Sequence, residues 1–201
     1  MKSLTKIVID TCSISNFFYF YRFDRNEDDS TNYNFLFKFF IDKIKAGEII
    51  IIDKVMVELL AYNDPEDNFD LFHRLVKDYI VNTKTATFTA DVIALYNDYK
   101  SEITENFSKT TKTEDEKGRL INKYKDRDAD LYLVTYCKEL SQSEKVLLIT
   151  DENKRQLGQF PKIPNICKNK CVDCDNLPNL LFKHYNSEMV FKITKPEKKI
   201  S

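Results

Sequence analysis

Short runs of β-branched and other apolar residues alternate with helical patterns along much of the chain. Three such runs predict buried strands: Lys6–Ile9, Glu48–Ile52 and Val146–Ile149. Between the first two, Tyr33–Ala46 shows the apolar spacing of a helix, and Gly47 follows as the expected residue after the helix end. Because buried strands that alternate with helices form covered parallel sheets, the pattern predicts an α/β fold, an α/β/α sandwich with a central parallel sheet.

The later periodic segments predict further helices with defined ends. Asp53 is expected to cap a helix that carries Glu58 and stops before Pro65. The segment Phe160–Ile166 contains two prolines, which exclude a central strand and leave a short edge strand as the expectation. Three more helices are expected, over Pro65–Ile80, over Thr89–Phe107 with Thr89 as its cap, and over Asp126–Leu140.

Two polar stretches lack the apolar residues that a packed element requires. Ser108–Gly118 is predicted to be a mobile loop, and Asp24–Ser30 a shorter acidic loop. Residues 82–125 are therefore expected to form a helical insertion with a mobile loop, inside a single domain that spans residues 1–185. Residues 186–201 are expected to add a C-terminal strand and a Lys-rich tail.

Composition and charge restrict the class of protein. The chain has 201 residues, of which 42% are hydrophobic and 13% aromatic, enough to build a core without metals or disulfides. Lys and Arg number 31 against 32 Asp and Glu, so any contact with nucleic acid must come from a local patch. Five cysteines, an odd number, favour reduced thiols. Met1–Lys6 leaves no room for a signal peptide and no apolar run is long enough to span a membrane, so we expect a cytoplasmic protein.

Acidic residues follow two of the predicted strands. Asp10 comes directly after the first strand, and Asp151 and Glu152 follow Thr150 after the third. In an open parallel sheet, ligands bind beyond the carboxyl ends of the strands. We therefore expect these acids to share one edge of the sheet.

Two further acids lie in apolar helices, and both are expected to face inward. Glu58 is flanked by apolar neighbours, and Asp130 begins a helix whose apolar positions lie on the same face. Converging carboxylates repel one another unless cations neutralise them or some stay protonated. Oxygen ligands select Mg²⁺ or Mn²⁺, and His73 and His184 lie far from the strand ends. The acids thus indicate metal-assisted cleavage of a phosphodiester.

Each acid also has a structural interpretation that the sequence leaves open. Asp10 and Asp151 are typical of turn or cap residues after strands. Glu58 would be ordinary on an exposed helix face. Asp128 is typical of the first turn of a helix, where the helix dipole is positive. Its alternative role is to support the metal ligands from behind.

Taken together, these acidic segments resemble the four acidic motifs of the PIN-domain family, in the family's order. The resemblance covers roughly Lys6 to Asn153. It implies an α/β/α sandwich and a nuclease that depends on Mg²⁺ or Mn²⁺, usually acts on RNA and in bacteria is often the toxin of a VapC-type toxin–antitoxin pair. The four segments are Ile7–Ser13, Val57–Leu60, Asp128–Val134 and Leu148–Glu152.

The resemblance assigns roles to individual positions. It implies catalytic roles for Asp10, Glu58, Asp130 and Asp151, and metal-binding roles for Asp10, Asp130, Asp151 and Glu152, leaving open which of the last two is the fourth acid. Thr11 or Ser13 matches the small hydroxyl residue after the first acid, both are expected to contact substrate, and Asp128 would support the ligands. Cys12 departs from the family pattern, in which many members have Asn or a small residue at this position. The insertion at residues 82–125 is a second departure, and it weakens the prediction of a toxin more than the prediction of a nuclease.

Two other patterns bear on ligands. Lys123, Lys125 and Arg127 lead into Asp130 and are expected to carry an RNA backbone, although nearby acids make a solvated insertion an equal alternative. Cys167, Cys171 and Cys174 have a loose zinc-like spacing, for which plain reduced cysteines are the favoured interpretation.

The sequence therefore predicts a cytoplasmic, divalent-metal-dependent endoribonuclease whose partner is RNA and which has no membrane association. A catalytically inactive PIN-like interaction module and a structure-specific DNA nuclease are the alternatives. A small antitoxin protein and a homodimer are left open.

Overall fold

The computed structural model describes residues 5–20, 35–62, 68–108, 113–116, 118–119, 129–152 and 161–186. The predicted loop Asp24–Ser30 and the tail after residue 186 lie outside these ranges. The described elements are β1 (Lys6–Ile9), α1 (Thr11–Phe20), α2 (Phe35–Lys45), β2 (Ile49–Ile50), α3 (Asp53–Ala61), α4 (Asn68–Val76), a 3-10 helix (Lys77–Tyr79), α5 (Ala86–Ser108), α6 (Ala129–Leu140), β3 (Val146–Ile149), α7 (Ile163–Lys170), β4 (Cys174–Asp175) and α8 (Leu177–His184).

The four strands form one parallel sheet in the order β2-β1-β3-β4. The two central strands, β1 and β3, pair along their whole length, with Ile9 opposite Ile149. On the outer side of β3, Ile149 pairs with Asp175 of β4. The three predicted strands are confirmed, and their carboxyl ends lie at one edge.

Burial of the central strands shows that both faces of the sheet are covered. Neighbouring residues in a strand point to opposite faces, yet Val8 and Ile9 are both fully buried, as are Leu148 and Ile149. Helices must therefore pack on each side of the sheet. The predicted α/β/α sandwich is confirmed.

The fourth strand lies elsewhere than the sequence pattern indicated. The edge strand predicted at Phe160–Ile166 is wrong, because Ile163–Lys170 forms α7 and the edge strand is Cys174–Asp175. Pro164 lies in the first turn of α7, where the missing N–H has no helical partner to lose. A proline pair that excludes a strand is thus compatible with the start of a helix.

Two predicted helix caps are also wrong. Asp53 is the first residue of α3 rather than its cap, and its Oδ1 accepts hydrogen bonds from the Thr83 hydroxyl at 2.6 Å and the Thr83 amide at 3.2 Å. The cap of α5 is Thr85, whose hydroxyl accepts from the Phe88 amide at 3.2 Å, and Thr89 lies one turn inside the helix. Asp53 thus bonds to a threonine that is remote in sequence, and Thr85 takes the capping position expected for Thr89.

The end of α2 follows the prediction. Gly47 has a positive φ of 68°, which glycine adopts without a steric penalty. Its amide donates to the Ile44 carbonyl at 2.9 Å, and the Glu48 amide donates to the Lys43 carbonyl at 3.0 Å. These two bonds form a Schellman motif, which turns the chain directly into β2.

The polar stretch Ser108–Gly118 is not a loop throughout. Residues 114–116 are helical, and Ser108 still belongs to α5. The Thr113 hydroxyl accepts from the Glu116 amide at 3.3 Å, while the Glu116 carboxylate accepts from the Thr113 amide at 2.9 Å. This reciprocal capping box stabilises a helical start without any apolar contact, so a lack of apolar residues does not exclude a helical turn in this segment.

Aromatic side chains fill the core between α1, α2 and α4. The rings of Phe17 and Phe40 stack with their centroids 4.7 Å apart, and Phe18 meets Phe72 edge to face at 5.2 Å. All four side chains are buried. These contacts fix α1, the helix that follows Asp10, against the rest of the molecule. Among the described residues, no helix has both the length and the apolar character needed to cross a membrane.

We expect Phe40→Ala to lower the free energy of unfolding by about 3–5 kcal/mol, because Phe40 is 1% exposed and its removal leaves a cavity. Phe182→Ala is the matched control, since Phe182 is 71% exposed and its loss should change stability by no more than about 0.5 kcal/mol. Denaturant unfolding followed by circular dichroism measures both. Equal effects in the two variants would contradict the assigned core.

Candidate functional site

The pairing of β1 with β3 brings Asp10 beside Thr150. The Asp10 amide donates to the Ile149 carbonyl at 3.0 Å, which continues the strand ladder by one residue. The Thr150 hydroxyl then donates to Asp10 Oδ2 at 2.5 Å. The two residues that follow the central strands are therefore held together side by side.

Asp10 also caps the helix that follows it. Its Oδ1 accepts a hydrogen bond from the Ser13 amide at 2.7 Å, in the manner of an N-cap residue. The residue is 3% exposed. The cap interpretation of Asp10 thus holds, and it does not exclude a role in a site, because the same carboxylate lies at the carboxyl edge of the sheet.

Burial raises the pKa of Asp10 from its ordinary value of 3.8 to about 6. The negative charge of Glu152 adds to this increase, whereas the hydrogen bonds from Thr150 and Ser13 lower the pKa. The ionised form of Asp10 is therefore unfavourable in this environment, and a nearby cation would stabilise it.

Glu58 lies between the starts of α1 and α6. Its Oε2 accepts from the Thr11 hydroxyl at 2.8 Å, and its Oε1 accepts from the Ala129 amide at 3.2 Å. The side chain is partly buried rather than on an outer surface. Because Thr11 follows Asp10 and Ala129 precedes Asp130, these two hydrogen bonds place Glu58 between the two aspartates.

Asp130 lies in the first turn of α6, directly after Ala129, whose amide donates a hydrogen bond to Glu58. The pKa of the Tyr62 hydroxyl shows which acids share this region. Burial raises that pKa, and the charges of Glu58, Asp10 and Asp130 raise it further. The Tyr62 hydroxyl at the end of α3 is therefore within electrostatic range of these acids.

The two acids after Thr150 each hold the start of a helix. Asp151 Oδ1 accepts from the Leu177 amide at 2.9 Å, which begins α8, and its Oδ2 accepts from the Asn16 side chain at 3.1 Å. Glu152 pairs with Lys162 at 2.7 Å and accepts from the Ile163 amide, the start of α7, at 3.0 Å.

The chemistry of the donor set fits a hard divalent cation, since the acids offer carboxylate oxygens and Asp10 is costly to ionise. As the side chains are oriented, no three His, Cys, Asp or Glu residues of the described ranges converge on one point. Mg²⁺ commonly takes only one or two protein carboxylates and completes its shell with water and substrate phosphate. The arrangement is compatible with that mode of binding.

The predicted substrate-binding residues differ in their positions. Ser13 is fully buried with its amide on Asp10, and the Thr11 hydroxyl donates to Glu58, so both residues help to orient acids. Lys123, Lys125 and Arg127 lie outside the described residues, as does Asp128.

The cysteines lie in contrasting environments, and a hydrogen bond with Cys167 lowers the pKa of Cys174. Burial raises the pKa of Cys12 to about 12, and the charges of Asp10, Asp151 and Glu152 act in the same direction, so Cys12 stays a thiol. Cys167 and Cys174 share a side-chain hydrogen bond, and Cys171 is exposed. Within the described ranges they form no cluster of three ligands.

Three residues of the site were not singled out from the sequence. Thr150 had a usable signal, because it follows β3 as Asp10 follows β1 and so must lie beside it. Asn16 had a weaker one, since it lies one turn after Cys12 on the same helix face. Lys162 had none, because its ion pair with Glu152 depends on where α7 begins.

These features define an α/β domain with carboxylates at the carboxyl edge of a parallel sheet. The chain belongs to the family described as Domain of unknown function (DUF4411), which it matches over residues 29–187. The match begins after β1 and α1, although β1 lies at the centre of the sheet. No curated protein and no solved structure matches the chain.

The stability of the metal-free protein should report the burial of Asp10. The pKa of Asp10 is about 6 in the folded chain and near 3.8 in the unfolded chain. The stabilising contribution of protonated Asp10 to the folded state is therefore complete below about pH 4 and is lost as the pH rises through 6. From about pH 4 to about pH 7.5, we expect Asp10→Asn to gain about 3 kcal/mol of unfolding free energy relative to the parent. Denaturant unfolding in divalent-free buffer measures the difference. A difference that does not change with pH would refute the shifted pKa.

Proposed function

We propose that this protein is a divalent-metal-dependent endoribonuclease of the PIN-like kind. The observation that carries the proposal is the buried Asp10 at the carboxyl edge of the parallel sheet, held by Thr150, with Glu58 hydrogen-bonded to the neighbours of Asp10 and Asp130. Carboxylates with strongly shifted pKa values are concentrated at functional sites, and Asp10 lies where its ionisation is unfavourable. A cation bound there would offset that cost and would supply the chemistry.

Asp10, Asp130 and one acid after Thr150 would hold the ion. When bound, Mg²⁺ or Mn²⁺ would acidify a water molecule and neutralise charge on the scissile phosphate. For the fourth ligand we favour Glu152 over Asp151, because the Glu152 amide donates to the Thr150 hydroxyl at 3.1 Å and that hydroxyl donates to Asp10. The ammonium of Lys162 neutralises Glu152 in the absence of the ion.

The remaining residues would keep the acids in place during the reaction. Thr150 and the Ser13 amide fix both oxygens of Asp10. Thr11 and the Ala129 amide fix Glu58, whose carboxylate would orient the attacking water and accept its proton. A site with its acids already oriented loses little further entropy when the substrate binds.

An inactive interaction module is the second candidate, and one observation favours it. Asp10, Asp151 and Glu152 each accept hydrogen bonds that hold a helix start, so these acids have structural work without any metal. A structure-specific DNA nuclease would use the same site on another polymer. A toxin role with an antitoxin partner rests on the resemblance to the PIN-domain family alone.

Asp10→Asn should reduce divalent-dependent cleavage of RNA by about 100-fold or more, because it removes a central ligand charge. Asp42→Asn is the matched control, since Asp42 is an exposed residue of α2 whose partner is Lys38, and it should cleave like the parent. The assay follows labelled single-stranded RNA and single-stranded DNA with Mg²⁺, with Mn²⁺ and with a chelator. Cleavage of neither polymer by the parent would favour the inactive module, and preferential cleavage of DNA would favour the DNA nuclease.

The cations before Asp130 can be tested separately. If Lys123, Lys125 and Arg127 contact phosphates, changing all three to Ala should weaken RNA binding and flatten the slope of log K against log salt by about 2 units. Lys38→Ala is the control, because Lys38 is exposed on α2 and paired with Asp42. RNA affinity measured across a salt series gives both quantities. An unchanged affinity and slope would leave these cations without a role in binding substrate.

A further inference from the structure

Tyr62 occupies a distinctive place beside the acids. It directly follows the last residue of α3, and its amide donates to the Leu59 carbonyl at 3.2 Å, which holds it to the helix end. It comes four residues after Glu58, so the two side chains lie on the same side of the chain, one turn apart. Despite its size, Tyr62 is 55% exposed.

Tyr62 directly follows the helix that carries Glu58, and Glu58 accepts hydrogen bonds from Thr11 and Ala129, the neighbours of Asp10 and Asp130. Besides partial burial, the charges of Glu58, Asp10 and Asp130 all raise the pKa of the Tyr62 hydroxyl. The hydroxyl is therefore protonated at neutral pH and can donate a hydrogen bond to an anionic oxygen. The side chain thus presents an exposed ring and a donor next to the carboxylate edge.

In the part of the chain that the structure describes, no aromatic ring and no ammonium packs against Tyr62, whereas Lys54 covers Tyr132 at 4.6 Å. Aromatic rings of α1, α2 and α4 pack instead into the core. More than half of the surface of Tyr62 is thus accessible at the end of α3.

We propose that Tyr62 stacks on a nucleobase next to the scissile phosphate, so that the substrate is a single strand or an unpaired nucleotide. This inference rests on the proposed nuclease function and names its substrate class. Phosphates next to the reacting group meet acidic side chains, so an interaction that does not depend on charge would add affinity there. Stacking on an aromatic side chain is such an interaction, and a base inside a duplex is not available for it.

The composition of the chain provides a direct reporter. The sequence contains no tryptophan, so Tyr62→Trp introduces a single indole whose fluorescence is quenched when a base stacks on it. Combining it with Asp10→Asn prevents cleavage during the titration. We expect saturable quenching with single-stranded RNA and none with a duplex of the same sequence at the same concentrations. Tyr79→Trp in the same background is the control, because Tyr79 is 46% exposed in the 3-10 helix, an element that supplies none of the acids.

Affinity measurements complete the test. We expect Tyr62→Ala to raise the Kd for single-stranded RNA about 5- to 100-fold, and Tyr62→Phe, which keeps the ring, to bind much as the parent does. Tyr79→Ala should bind as the parent does. Unchanged binding by Tyr62→Ala, absence of quenching, or equal quenching by duplex RNA would each overturn the stacking role.

The two proposals fail in different ways. If the parent cleaves RNA with Mg²⁺ and Tyr62→Ala matches it in both Kd and KM, the stacking role is lost and the nuclease stands. If Tyr62→Trp with an intact Asp10 is quenched by single-stranded RNA and the parent leaves that RNA uncut in Mg²⁺, the nuclease is lost and the stacking role stands. Quenching by a protein segment but not by RNA would assign the ring to a protein partner and overturn the inference.

Discussion

The contact between Thr150 and Asp10 is the interaction on which the rest of the site depends. It exists because β1 and β3 are parallel and in register, so the residue after each strand meets its counterpart at the same level. A slip of the register by one residue would turn Asp10 to the opposite face of the sheet and separate it from Thr150. The covered faces of both strands prevent such a slip, since it would also displace the fully buried Val8 and Leu148.

Around this contact, the acids and the helices stabilise one another. Asp10 caps α1. Three other acids accept a hydrogen bond from the first amide of a helix: Glu58 from that of α6, Glu152 from that of α7 and Asp151 from that of α8. Four helices thus begin at the same edge of the sheet, and the positive ends of their dipoles favour the ionised carboxylates. These hydrogen bonds fix where the acids lie, and a cation at this edge would draw on the same oxygens. The same geometry therefore serves folding and provides oxygen donors for a metal.

The sequence predicted the sheet and its acidic edge because both follow from short-range rules. Buried apolar runs with helices between them lead to parallel strands, and Asp10 and Asp151 then lie at strand ends without any knowledge of side-chain contacts. What could not be predicted depends on competition between nearby partners. Asp53 bonds to Thr83, which is remote in sequence, and Lys162 meets Glu152 only because α7 begins beside it. Such contacts require the folded chain, since local preference alone does not select among several acceptors.

The central claim is that the carboxyl edge of the sheet binds a divalent cation through Asp10 and its neighbours. The most direct measurement is anomalous scattering from crystals of the parent protein grown with Mn²⁺, compared with crystals of Asp10→Asn grown in the same way. The account predicts one anomalous peak within coordination distance of Asp10, about 2 Å from carboxylate oxygens, and its loss in the variant. Ordered crystals with no peak at this edge, or with an equal peak in both proteins, would contradict it.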